Sequence, residues 1–184
     1  RIFFDPFVVP LPDASPESLS RGDWILITHS HWDHLNERAV AAAVRCGAGV
    51  IGPDPVRRKL EKLVPADRFV LLEPPDETTP ATWNTGGLIV TAYRTRHGRG
   101  HNSYLVEWRG SRFFHDGDNE HTDTLPHAAL RDLDVLMIAP WQGSGWVEFI
   151  DALAPRAWLL MHMAEEEFTA HDRGQFFPDL CDHV

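Results

Sequence analysis

His29-Ser30-His31-Trp32-Asp33-His34 follows directly on the apolar run Trp24-Ile25-Leu26-Ile27. A short apolar run of this kind reads as a buried strand, which places the histidines on a loop at its C-terminal end. Three imidazoles and a carboxylate within six residues exceed what a polar loop needs. Neutral imidazole and carboxylate are good ligands for zinc and similar divalent ions. Alternate residues of an extended chain point the same way. His29, His31 and Asp33 are therefore expected to converge while His34 turns aside. Metal binding is the reading this stretch supports.

Outward from it, the chain alternates between strand and helix signals. Ile2-Phe3-Phe4 reads as a short strand ending at Asp5-Pro6, and residues 10–21 as a proline- and serine-rich loop. Asn36 is suited to cap a helix whose Ala39, Val40, Ala43 and Val44 form one apolar face, closed by Gly47 and Gly49 before a strand over 50–52. Asp54-Pro55 repeats the helix-start grammar, with Asp as cap and a helix through Leu60 and Leu63 that stops before Pro65. A strand over 69–72 and a polar loop over 74–85 follow. Strands are then expected over 88–93, 103–108 and 112–115, with Arg109-Gly110 as a tight hairpin. Helical turns near 128–130 and 146–153 alternate with strands over 135–138 and 158–161. Mixed strands followed by strand–helix alternation imply an α/β sandwich with helices outside.

The bulk numbers narrow the function. A chain of 184 residues is one domain with a real core. Lys+Arg 17 against Asp+Glu 27 gives a formal charge of -10, with no strongly basic segment. Tight binding to a phosphate backbone needs clustered cations, so a nucleic-acid partner is disfavoured and a small-molecule substrate expected. Only Cys46 and Cys181 occur, far apart. Cys46 reads as a small core residue, and a reducing cytoplasm is the default compartment. No apolar run reaches the length of a membrane span, and no signal peptide is visible, although a start at Arg1 leaves a leader open. Oligomeric state is not legible.

Further ligand candidates stand where strands end, as a site built on loops requires. His97 ends Thr95-Arg96-His97, Asp118 lies in His115-Asp116-Gly117-Asp118-Asn119, and His162 follows Trp158-Leu159-Leu160-Met161. Singly, these read equally well as a surface histidine, a turn former and a core imidazole. In this order after the first cluster they favour ligation. His101 is a rival to His97, and Asp116 to Asp118. His115, His121 and His127 read as surface or supporting residues; Arg94, Arg96 and Arg99 flank His97, where they meet an anionic substrate group or, by default, stand solvent-exposed. Trp83, Trp141 and Trp146 fall in loop-like stretches, where they cover the core edge or line a pocket.

His-x-His-x-Asp-His over 29–34 resembles the signature of the metallo-β-lactamase superfamily. Ile2-Phe3-Phe4-Asp5-Pro6 looks like the early strand-plus-Asp-Pro element of its lactonase-like and phosphodiesterase-like branches. The Asp118 segment looks like the family's Gly-Asp-Thr element, with Asn119 where Thr is usual, and residues 155–162 like its last histidine strand. The resemblance implies an αββα sandwich over 1–184 as a single domain, lacking the strands that normally precede the Asp-Pro element. It also implies one metal on His29, His31 and His97, a second on Asp33, His34 and His162, and Asp118 bridging both. Two Zn2+ ions are expected, with Mn2+ or Fe2+ as alternatives. The implied activity is hydrolysis of a small ester, lactone or phosphodiester by a metal-bound hydroxide, with Asp33 orienting it or handling its proton while remaining a ligand. The alternatives are a diiron-type oxidoreductase of the same fold, which usually carries Glu at the position of His31 and a flavin-binding domain, and a non-catalytic metal-binding scaffold. Fold analogy does not choose the substrate.

Overall fold

The computed structural model describes residues 1–6, 20–139 and 145–175. Its first sheet is parallel throughout, in the order β1 (Ile2–Phe4), β2 (Trp24–Leu26), β3 (Gly49–Gly52), β4 (Phe69–Leu71). Helices α1 (Glu37–Arg45) and α2 (Asp54–Leu60) cross between its strands. The second sheet contains β5 (Ala81–Thr85), β6 (Leu88–Thr95), β7 (His101–Trp108), β8 (Ser111–His115), β9 (Val135–Ile138) and β10 (Ala157–Leu160), in spatial order β10-β9-β8-β7-β6-β5. Pairing is antiparallel from β5 to β8 and parallel from β8 to β10. Helix α3 (Trp146–Leu153) precedes β10, and α4 (Glu165–Asp172) follows it.

Strand alternation builds three apolar layers from these two sheets. Ile25, Ile27 and Val50 turn toward Val40, Val44, Val56 and Leu60 on α1 and α2. Their neighbours Leu26 and Ile51 face the other way, onto Leu88, Val90, Ala92, Tyr104 and Val106 of the second sheet. On that sheet's far side, Leu105, Phe114, Leu136 and Ile138 meet Phe149, Ile150 and Leu153 of α3. Helix, sheet, sheet, helix is the αββα order.

Local signals behave as their chemistry requires. Asn36 Oδ1 accepts the Ala39 N–H at 3.0 Å and caps α1. Arg109 and Gly110 both take positive φ, 53° and 84°, as a two-residue hairpin between β7 and β8 demands. Four expectations need correction. Residues 81–85, read as loop, form edge strand β5, whose Trp83 packs edge-on against Trp24 at 4.5 Å. Trp146 opens α3, the helix expected over 146–153, and so does not lie in a loop-like stretch; Pro53, not Asp54, caps α2, and Asp54 sits in the first turn and pairs with Arg57 and Arg58. Cys46 is half-buried at the C-terminal end of α1, not in the core. Helix α4 has no counterpart in the sequence reading. Trp141, Cys181 and most of the expected loop over 10–21 lie outside the described residues.

The two sheets are tied together where β2 ends. Asn102 N–H donates to Thr28 O at 3.0 Å, and the buried Tyr104 hydroxyl donates to Ile27 O at 2.8 Å. The histidine loop leaves the first sheet at this junction. No helix among the described residues is long and apolar enough to cross a membrane.

Candidate metal centre

The loop after β2 does not stay extended. His31 O accepts the N–H groups of His34 and Leu35 at 3.2 and 3.0 Å, forming a tight turn. That turn overrides the alternation expected from an extended chain, so His34 does not swing aside. It is buried, with Nε2 3.1 Å from Asp118 Oδ2.

The later candidates arrive from the second sheet. His97 follows β6 on a segment strapped to the Asp118 loop: Glu120 N–H donates to Arg96 O at 2.7 Å, and Arg96 N–H to Asn119 Oδ1 at 3.2 Å. Asn119, in the place usually held by Thr, thus serves as that strap. His162 leaves β10 in a left-handed conformation, φ 62°, which turns its ring inward.

The result is one cluster in two groups. Ligand-capable atoms of His29, His31, His97 and Asp118 lie within 4.8 Å of one another, and so do those of Asp33, His34 and His162. Asp118 Oδ2 lies between them, 3.8 Å from His29 Nε2, 3.5 Å from His97 Nε2, 3.1 Å from His34 Nε2 and 3.4 Å from His162 Nε2. Asp33 Oδ2 is 3.4 Å from His162 Nε2.

Both rivals have other partners. His101 accepts the Asp118 N–H at Nε2, 3.0 Å, and reaches Thr95 Oγ1 with Nδ1 at 2.7 Å. Burial drives its pKa down to about 3, so it is a neutral support beneath Asp118. Asp116 Oδ1 accepts from Ser103 Oγ at 3.0 Å and Asn119 Nδ2 at 3.2 Å. Burial pushes its carboxyl up to about 7.

Residues outside the sequence reading's site orient the imidazoles. Asp5 Oδ2 is 2.8 Å from His34 Nδ1, and Asp5 also accepts the Thr28 N–H at 2.7 Å and its hydroxyl at 2.6 Å. With its proton committed to Asp5, Thr28 Oγ1 accepts from His29 Nδ1 at 3.0 Å. Glu120 Oε1 holds His97 Nδ1 at 2.9 Å. Each partner takes Nδ1, so Nε2 of each ring points inward, the arrangement that carboxylate and hydroxyl partners impose on ligating histidines. In the sequence Asp5 stands out only as part of an Asp-Pro element. Thr28 and Glu120 adjoin the recognised motifs without any local mark of their role.

The donor set fits a cation. His29 Nε2 and Asp118 Oδ1 are buried with no hydrogen-bond partner, a condition that calls for an explanation. His31 Nδ1 faces His97 Nε2 at 3.2 Å, and His34 Nε2 faces His162 Nε2 at 3.1 Å. Donors about 2.0–2.1 Å from a tetrahedral ion stand about 3.3–3.4 Å apart, close to these spacings. The charges are those of imidazoles gathered round one carboxylate, and an ion bound to His34 would have to displace its Nε2 proton. Burial and neighbouring histidines push the His29 pKa down, keeping it neutral. For His34 burial acts in the same direction, but hydrogen bonds to Asp118 and Asp5 outweigh it and raise the pKa to about 10. Burial opposes ionisation of Asp118, yet His162 and His34 hold its carboxyl well below the usual range.

The comparisons with known proteins follow this geometry. A family model described as a β-lactamase superfamily domain matches residues 1–163. The chain belongs to the metallo-β-lactamase superfamily. A curated superfamily relative, the UPF0173 metal-dependent hydrolase of Carboxydothermus hydrogenoformans, is 28% identical over 196 residues, spanning 96% of this chain and 82% of that protein. Igni18, a metallo hydrolase from Ignicoccus hospitalis, superposes with a TM-score of 0.66 at 16% identity, covering 95% of this chain and 84% of that one. CmlA, a diiron β-hydroxylase from Streptomyces venezuelae, gives 0.59 at 17% identity over 83% of this chain and 37% of its own. At such identities the structural likeness is one of fold.

Asp5→Ala is expected to weaken metal binding by about 10–100-fold, because His34 loses the partner that sets its tautomer. Competition against a chromophoric chelator measures this. Unchanged affinity would show that Asp5 matters only to the Thr28 turn.

Proposed function

We propose that this metal-dependent hydrolase cleaves a small ester, lactone or phosphodiester at two divalent ions that share Asp118. His29, His31 and His97 would hold one ion, and Asp33, His34 and His162 the other. The observation that carries the reading is the position of Asp118 Oδ2, 3.5 Å from His97 Nε2 and 3.4 Å from His162 Nε2, in reach of both groups. When bound, such a pair of ions acidifies water to near neutrality and polarises a carbonyl or phosphoryl oxygen.

The chain's own groups divide the remaining work. Asp118, buried and ionised, keeps a negative charge between the two imidazole groups. Asp33 is the more open carboxylate, its side chain 28% exposed against 3% for Asp118. While remaining a ligand, it would take the proton from the attacking water and return it to the leaving oxygen. Asp5, Thr28 and Glu120 hold the rings so that little reorganisation accompanies reaction.

The formal charge of -10 favours a small substrate over a polyanion. His31 presents imidazole where diiron oxidoreductases of this fold usually carry glutamate, which weighs against that alternative. Zn2+ is the first choice of ion for a donor set of five histidines and two aspartates, ahead of Mn2+ or Fe2+. A single domain over 1–184 and a reducing cytoplasm complete the proposal. Elemental analysis after metal reconstitution should reach two ions per chain, and a screen of esters, lactones and phosphodiesters should reveal metal-dependent turnover. Saturation at one ion would remove the shared-carboxylate mechanism in favour of a single site on His29, His31 and His97.

A further inference from the structure

Two clefts border the cluster, and their chemistry is opposite. On the His97 side, a cleft of about 780 Å³ carries Arg58, Arg94, Arg96 and Arg99. Arg94 pairs there with Glu73 and Arg96 with Glu77, each at 2.9 Å. On the His162 side, a cleft of about 830 Å³ is walled by Phe4, Trp32, His115, Met161, Met163 and Glu167, and opens onto Asp33, His34 and His162. No lysine or arginine lines this second cleft among the described residues. Both volumes are in the range of small-molecule sites, about 300–1,000 Å³.

The second cleft is built for an apolar guest. Two of the chain's three methionines flank His162 and line it. Thioether side chains are unbranched and polarizable, and adapt to varied apolar shapes. Trp32, between His31 and Asp33, is 74% exposed, the most open of the large hydrophobic side chains among the described residues. Phe4 and the buried His115 stack in parallel at 4.7 Å and close the back. Asp5, Asp33 and Glu167 line this space with carboxylates, and the imidazoles of His34 and His162 stand at its mouth.

We infer that the cleft of Trp32, Met161 and Met163 receives an uncharged hydrocarbon arm of the substrate, an acyl or alkyl chain next to the bond being cleaved. The inference rests on the hydrolytic reading above for the reaction at the cleft's mouth. The arginine-bearing cleft is left for the polar remainder of the substrate. A hydrocarbon chain whose far end carries a carboxylate meets Glu167, with no lysine or arginine among the described residues lining the cleft to offset it.

Calorimetric titration of the zinc-reconstituted protein with acetate, butyrate, hexanoate and octanoate tests this. Affinity is expected to rise about two- to fourfold per methylene, and hexanedioate to bind about tenfold more weakly than hexanoate. Trp32→Ala and Met163→Ser should each at least halve the slope of log affinity against chain length. Leu159→Ser, at an exposed β10 position outside the cleft, should leave it intact. A flat series in the unaltered protein, or a full slope in both cleft variants, overturns the assignment. Turnover of the p-nitrophenyl esters of the same acids separates the two proposals. A rising affinity without ester cleavage keeps the cleft and removes the ester reading. Cleavage of every ester with flat affinity keeps the hydrolytic reading and removes the cleft.

Discussion

Asp118→Ala should lower turnover by about a thousandfold or more and release at least one ion, while the protein still folds. The carboxylate touches four imidazole nitrogens at 3.1 to 3.8 Å, so its loss removes the charge that both groups face. Metal-ion stabilisation of a transition state amounts to several kcal/mol, and each ~1.4 kcal/mol is a factor of ten. The fold should survive because the loop is held through backbone, by the Asp118 N–H donated to His101. Asp118→Asn preserves volume but not charge, and should fail nearly as badly. Metal content, circular dichroism and turnover measured together check this. Wild-type turnover with two ions retained would exclude a shared carboxylate.

Gly117→Ala should destabilise the protein by about 2–5 kcal/mol. Gly117 has φ 63°, a left-handed conformation costing an L-residue about 1–2 kcal/mol. An added Cβ would also stand 2.6 Å from His101 Nε2 and 2.9 Å from Thr28 Cγ2, both on buried residues with little freedom to yield. Overpacking of this kind adds about 1–3 kcal/mol. For a chain of this size the midpoint of thermal unfolding should fall by about 5–15 °C, with metal binding weakened as Asp118 moves. Gly110→Ala is the control: its φ is 84°, but no atom lies within 4 Å of the added carbon, so only backbone strain applies. Equal losses in the two variants would show that the His101 contact carries no weight.

What was legible in the sequence follows from how local each cause is. The buried run before His29, the Asn36 cap and the Arg109-Gly110 turn each act within a few residues, and the strands and α1 stand where those signals put them. Strand β5 was missed because its side chains alternate only between half-buried and exposed, behind a proline-containing stretch, so no apolar run marks it. Helix α4 begins with Glu165, Glu166 and Glu167 and has no apolar stripe to announce it. At the site, the order of His29, His31, His97, Asp118 and His162 along the chain showed which loops to compare. It did not show that a turn carries His34 inward, or that Thr95 and the Asp118 amide occupy both nitrogens of His101. Asp5 and Glu120 act across 29 and 23 residues of chain, where no local pattern reaches.

The seam marked by the Asn102–Thr28 and Tyr104–Ile27 bonds has a mechanical consequence. His29, His31, Asp33 and His34 hang from one half of the sandwich, and His97, Asp118 and His162 from the other. Neither group of candidate ligands can be completed by one half alone, so an ion held on either would act as a rivet through the joint. Prying the halves apart would then have to break both sets of metal contacts. Unfolding would then release the ions, and resistance to heat would rise with free metal concentration.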